Sequence, residues 1–193
     1  AMLADDLGAL SAAARDNGVD LYYEAAVAGA IPIIRPLRES LVGDEITEVM
    51  GIVNGTTNFI LDKMITDGVS FADALTDAKQ LSYAEADPTA DVEGHDAAAK
   101  AAILAGLAFH TEVRGSEVFS EGITEVTPGD IAAAEQMGCT IKLVAIAKLT
   151  DDDRIIVKVH PAMVANKLPL AIVSGAYNAI FVESVNAGRL MFM

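Results

Sequence analysis

The stretch IKLVAIAKLTDDDRIIVKVHPA, residues 141–162, decides the fold. Its first nine residues are rich in Val, Ile and Leu, three aspartates at 151–153 make a turn, and the second run alternates. Ile155, Val157 and Val159 share one face while Ile156, Lys158 and His160 share the other, so one side is covered and the other is wetter. Two further β runs follow at 176–182 and 189–192, and one precedes at 46–53. Between 111 and 127 the chain is polar and irregular; Pro128 then starts a short helix that runs through Met137 and stops at Gly138. With helical patterns in the first half and strands in the second, the expectation is an α+β layer, a mixed β-sheet covered on one face by helices. A bare sheet face or edge at the C-terminal end invites pairing with a second copy.

Composition excludes several classes. The chain has 193 residues, 52% hydrophobic and 21% charged, which is enough for one sizeable core and makes a single domain the default. Twenty-eight acids against 13 bases give a net charge of −15 with no basic cluster, so nucleic acid and anionic membrane surfaces are repelled. Cys139 has no partner for an internal disulfide, which fits a reducing compartment, the cytoplasm. One cysteine and three scattered histidines (His95, His110, His160) give no zinc spacing. The longest uncharged apolar run, 169–182, is shorter than the roughly 20 residues a membrane helix needs. No basic region followed by an apolar core marks a secretory signal, and Ala1-Met2 directly before a helical pattern reads as an expression boundary.

Upstream of the first strand, Leu3, Leu7, Leu10 and Ala14 fall on one helical face, and Gly18 is placed to end that docking helix. In residues 21–37 Glu24 is the only acid in an apolar setting. Such a carboxylate needs either backbone N–H donors or a hard cation that also takes carbonyl oxygens, and spacing leaves both open. After the strand at 46–53, NGTTN (54–58) opens a helix that ends near Gly68, with Thr56 or Thr57 as its cap and free N–H donors at its entrance. A second helix, 70–80, is capped by Ser70.

It leads into LSYAEADPTADVEGHDAAAKAAILAGLAF, residues 81–109. From Ala97 onward this segment is apolar on every face, apart from Lys100, and therefore belongs inside a protein. Asp96 lies one turn earlier on the same face, and Glu85, Asp87 and Asp91 arrive close to the helix entrance. An exposed acid-first ion pair is the plainer account of Asp96 and Lys100. Convergence of Glu, Asp, Tyr and Lys in one segment suits instead a small ligand bearing an amine and a hydroxyl, its amine held by carboxylates and its hydroxyl proton handled by the lysine.

Four motifs in order, EAAVAGAIPIIRPL (24–37), GIVNGTTNFIL (51–61), LSYAEADPTADVEGHDAAAK (81–100) and VHPAMV (159–164), resemble the central catalytic domain of the homoserine dehydrogenase family. The third is specific; the last alone is weak. What the resemblance implies is an NAD(P)-dependent interconversion of L-homoserine and L-aspartate 4-semialdehyde, on the route to threonine, methionine and isoleucine, carried on a fold of the glyceraldehyde-3-phosphate-dehydrogenase-like C-terminal domain type. It further implies that Lys100 transfers the proton and Asp96 supports it, that Glu85 and Asp91 hold the substrate's amine and hydroxyl end, and that Tyr83, Gly55 and Thr56 line the site. By the same resemblance Glu24 and the carbonyls of Val27, Gly29 and Ile31 match a monovalent-cation site, usually sodium, and the chain forms a homodimer.

This sequence departs from the family pattern in having no G-x-G-x-x-G string, and Ala165-Asn166-Lys167 stands in the wrong place to be the family's second lysine segment. Residues 1–193 thus read as the substrate and dimerisation domain of a longer enzyme, without a nucleotide-binding domain and without cofactor-binding residues of its own. The competing expectation is a non-catalytic domain that dimerises or binds a small ligand.

Overall fold

A computed structural model of the chain describes residues 2–29 and 31–193. Ala1, half of the start read as an expression boundary, lies outside them, as does Ala30, between Gly29 and Ile31 in the sequence. One sheet of six strands organises the rest: β1 (Ile46–Ile52), β2 (Phe119–Ser120), β3 (Cys139–Leu149), β4 (Ile155–Ala165), β5 (Ala179–Ser184) and β6 (Gly188–Phe192), in the spatial order β2-β4-β3-β1-β5-β6. β2 runs parallel to β4 and every other pairing is antiparallel, so the sheet is mixed as expected. The β3–β4 register keeps Val159 opposite Ala145 and Val157 opposite Ala147, which sends these four to the covered face.

Helices α1 (Met2–Asp16), α2 (Gly55–Asp67), α3 (Phe71–Gln80), α4 (Thr89–Val92), α5 (His95–Ala108) and α6 (Pro128–Gln136) account for the first layer. α5, apolar from Ala97 onward apart from Lys100, lies against β1, β3 and β4, with Ala97, Ala101, Leu104 and Ala105 in one buried cluster with Leu143, Ala145 and Val159. Fully burying one such Leu or Ile contributes about 1.5–3 kcal/mol, so this contact is the main cohesion of the layer. α1 docks through Leu3, Ala4 and Leu7, whereas Leu10, placed on the same face by its spacing, is exposed. Among the described residues no helix is long and apolar enough to cross a membrane.

Four local expectations change. The cap of α2 is Asn54 and not Thr56 or Thr57: its Oδ1 accepts from Thr57 N at 2.9 Å, a bond that only the residue three positions earlier can make. β5 starts at Ala179 and not at 176, because the carbonyls of Val173, Gly175 and Tyr177 are taken by the Asn58 amide and cannot enter a ladder. The irregular stretch 111–127 hides a short 3₁₀ turn (Gly115–Glu117) and β2. β4 ends at Ala165 and not at Ala162. Val159 turns its carbonyl away from β3 to Glu121 N, and Pro161, two residues on, turns its missing donor the same way, beyond the end of β2.

The opposite sheet face is partly roofed by residues 168–178, whose Leu170 and Val173 pack on Ile52, Val144, Val164 and Phe181. Beyond that roof Ile156 and Met191 stay exposed on the same face.

Candidate active site

Three elements meet where β1 ends. Val53 and Asn54 leave the central strand almost completely buried, α2 begins at Gly55, and α5 passes alongside. Because Asn54 Oδ1 is committed to Thr57 N (2.9 Å) and Thr57 Oγ1 (3.0 Å), its Nδ2 is the end that faces out of the helix. That nitrogen donates to Asp91 Oδ1 at 2.6 Å and to Asp96 Oδ2 at 2.9 Å. One neutral amide thus holds two carboxylates from different segments in place.

Asp96 Oδ2 also receives the Lys100 ammonium at 2.5 Å, and Lys100 Nζ donates to the Val53 carbonyl at 3.0 Å. Side-chain exposures of 21% for Lys100 and 30% for Asp96 set this pair apart from an ion pair standing in water, whose worth is about 0–1 kcal/mol. Two acceptors leave Nζ one further hydrogen-bonding position, and the backbone carbonyl fixes the amine independently of the carboxylate. Nζ is therefore a located proton donor or acceptor beside two carboxylates.

Of the other residues singled out in the sequence, Thr56 donates its Oγ1–H to the Tyr83 carbonyl at 2.6 Å, tying the α2 entrance to the segment after α3. The Tyr83 ring stacks at a tilt on Phe59, centroids 4.7 Å apart. Ser82, with φ of +62°, turns the chain into this position. A Cβ on Gly55 would stand 2.6 Å from the Ala176 carbonyl oxygen, so only glycine fits there. Glu85 is exposed and joins no hydrogen bond among the described residues, whereas Asp91, Asp96 and Lys100 are brought together. Asp87 turns away to Thr89. Asn54 itself was not singled out from the sequence, although an Asn directly after a strand and before Gly-Thr is a preferred helix cap.

Glu24 sits in a 3₁₀ turn (Glu24–Ala26), its Oε1 accepting from Ile34 N at 2.8 Å and its Oε2 from Arg35 N at 3.0 Å. Backbone donors thus meet one half of its requirement. Each oxygen retains a lone pair, and the carbonyls of Val27, Gly29 and Ile31 accept no hydrogen bond among the described residues. Among the described residues no cluster of His, Cys, Asp and Glu has the makings of a transition-metal site. Nearby, burial raises the Tyr23 phenol above its ordinary value, against the pull of Arg38, which lies 5.9 Å from the ring centroid.

Comparison with known proteins gives a consistent answer. The family model described as homoserine dehydrogenase matches residues 32–193. The homoserine dehydrogenase of Mycobacterium tuberculosis is 58% identical over the whole chain, and that of Corynebacterium glutamicum is 57% identical, again over the whole chain. The chain spans 44% of the length of each of these two relatives. Among solved structures, a homoserine dehydrogenase from Thiobacillus denitrificans superposes with a TM-score of 0.95 at 42% identity, covering 98% of this chain and 44% of that one. A hyperthermophilic archaeal homoserine dehydrogenase in complex with NADPH superposes at 0.83 with 30% identity, covering 98% of this chain and 54% of that one.

Proposed function

Because the chain belongs to the homoserine dehydrogenase family, we propose that it is the substrate-side domain of an NAD(P)-dependent oxidoreductase that interconverts L-homoserine and L-aspartate 4-semialdehyde. The observation that carries the reading is the Asn54-centred cluster of Asp91, Asp96 and Lys100. Oxidation of a primary alcohol removes a hydride from the carbinol carbon and a proton from its oxygen. NAD(P)+, when bound, takes the hydride; no residue of this sequence forms a dinucleotide fingerprint, so none is assigned to it. Lys100, as the neutral amine with its two N–H groups on the Val53 carbonyl and Asp96, takes the hydroxyl proton at its lone pair, and in the reductive direction the ammonium returns one to the aldehyde oxygen. Asp91 and Glu85 hold the amine and hydroxyl end of the amino acid, with Tyr83, Gly55 and Thr56 along the wall. Two carboxylates, Asp91 and Asp96, against one lysine leave negative charge that favours a substrate ammonium.

The test is Lys100→Met in the full-length protein that carries this chain. Length and apolarity are kept while the proton-transfer group is lost, and kcat should fall about 10²–10⁴-fold with the homoserine KM moving much less. A loss below about tenfold, with the circular dichroism unchanged, returns Asp96 and Lys100 to an ordinary ion pair.

Around this centre the remaining assignments follow the same reading. Glu24 and the carbonyls of Val27, Gly29 and Ile31 hold a monovalent cation, sodium in our proposal, a reading supported by carbonyl oxygens that accept no hydrogen bond among the described residues. The sheet face carrying Ile156 and Met191 pairs with a second copy to form a homodimer. The enzyme works in the cytoplasm on amino-acid biosynthesis towards threonine, methionine and isoleucine. Taken alone, the chain dimerises or binds a small ligand and does not turn over, a second reading favoured by the missing fingerprint.

A further inference from the structure

We propose that Lys142 and Asn58 are positioning residues for the turn at 54–56, acting through residues 173–177; this rests on the reading of that turn as part of the substrate wall. Lys142 lies in β3, is only 1% exposed, and ends in contact with two acceptors, Asn58 Oδ1 at 3.1 Å and the Val173 carbonyl at 2.7 Å. A lysine ammonium only donates, so it dictates which way the Asn58 amide faces. With Oδ1 held by Lys142, Asn58 Nδ2 is left to bind the carbonyls of Val173 (3.1 Å), Gly175 (2.9 Å) and Tyr177 (3.2 Å). One turn later on α2, Asp62 Oδ2 accepts the Gly175 N–H at 2.8 Å. Two successive turns of α2 thereby clamp a five-residue segment that has no ladder of its own.

That segment reaches the site. The Ala176 carbonyl lies where a Gly55 side chain would be, so the backbone of the clamped segment bears directly on the entrance of α2, between Asn54 and Thr56. Lys100 is fixed separately, by the end of β1 and by its own helix, with no bond to this network. Burying an ammonium is costly unless its donors are needed, and an apolar residue would fill a strand position in the core more simply. The need met here is the orientation of Asn58. Loosening the clamp should therefore disturb the substrate wall before it disturbs proton transfer.

The experiment uses Lys142→Met, which keeps length and removes the donors. In the chain itself, amide hydrogen exchange at Thr57, Gly175 and Tyr177, whose N–H groups are bonded to Asn54, Asp62 and the Ser174 carbonyl, should quicken by about tenfold, the equivalent of one net hydrogen bond, while the centre of α5 stays protected. In the full-length protein the KM for L-homoserine should rise about tenfold with kcat within about threefold. Unchanged exchange at those amides in a folded variant, or equal losses in kcat and kcat/KM, overturns the proposal. If Lys142→Met does not fold, Asp62→Ala removes the second clamp at a part-exposed position, and the same amides decide. Should the unsubstituted full-length protein fail to oxidise homoserine, the functional reading is lost, and the exchange data still decide the positioning role.

Discussion

Replacing Asn54 separates the two jobs the residue does. As a cap it accepts from Thr57 N, and substituting such a cap by alanine costs about 1 kcal/mol. As a bridge it donates to Asp91 and Asp96, and hydrogen bonds to charged groups contribute about 1.5–3 kcal/mol each, towards the low end here because the Asp96 side chain is 30% exposed. Asn54→Ala should therefore destabilise by about 2–4 kcal/mol, a fall in Tm of roughly 5–15 °C for a chain of this size. Asn54→Asp keeps the cap, since Asp serves as well as Asn, but sets a third carboxylate against the two already there. At pH 7.5 it should melt below Asn54→Ala despite retaining the cap. Like-charge neighbours raise the folded-state pKa of the introduced carboxyl above its unfolded value near 3.9, so the deficit develops as pH rises through the raised value and is absent below about 3.9. Melts followed by circular dichroism from pH 7.5 to pH 4 should show the two variants converge and then exchange order. An Asn54→Asp protein melting within about 2 °C of the parent at pH 7.5 would refute the bridge and leave Asn54 as a cap alone.

Gly55→Ala should cost about 1–3 kcal/mol by overpacking, because the atom it meets at 2.6 Å is a backbone oxygen; an unchanged Tm would mean that residues 173–177 yield freely. The N–H groups of Ala187 and Asn186 hold the Asp44 carboxyl well below the usual carboxylate range, so its contribution is present above about pH 3.9 and lost as pH falls through the lowered value. The Tm gap between parent and Asp44→Asn should accordingly narrow progressively as pH falls below about 3.9, and a gap constant from pH 6 to pH 2 contradicts this. Sedimentation at micromolar concentration should give a dimer, a clean 20.1 kDa species being the contrary result. Sodium should raise the Tm relative to tetramethylammonium at equal ionic strength, with no such rise in Glu24→Gln; identical melts in both salts count against the cation site.

The strands and helices that read clearly are those whose information is local. Alternation in 155–160, the Ser70 cap and the i, i+4 spacing of Asp96 and Lys100 need no distant partner to be recognised. Asn54 escaped because its bond to Asp91 joins residues 37 apart, and nothing at either position announces the other. Lys142 misleads for a related reason: alternation along β3 assigns it to the wetter face, yet residues 168–178 roof that face and bury it. β2 is two residues long and is defined wholly by the strand beside it.

The central place of β1 bears on how the site comes into being during synthesis. Its neighbours are β3, where Glu48 meets Lys148, and β5, where Ile46 meets Ser184, so neither edge of β1 is paired until most of the chain has left the ribosome. Such distant pairings are slow to form, and an unpaired strand exposed meanwhile is prone to aggregate. The Val53 carbonyl and Asn54 amide that hold Lys100 and its two carboxylates hang from that strand's end. The cluster of Asp91, Asp96 and Lys100 thus hangs from a strand whose partners both lie later in the chain.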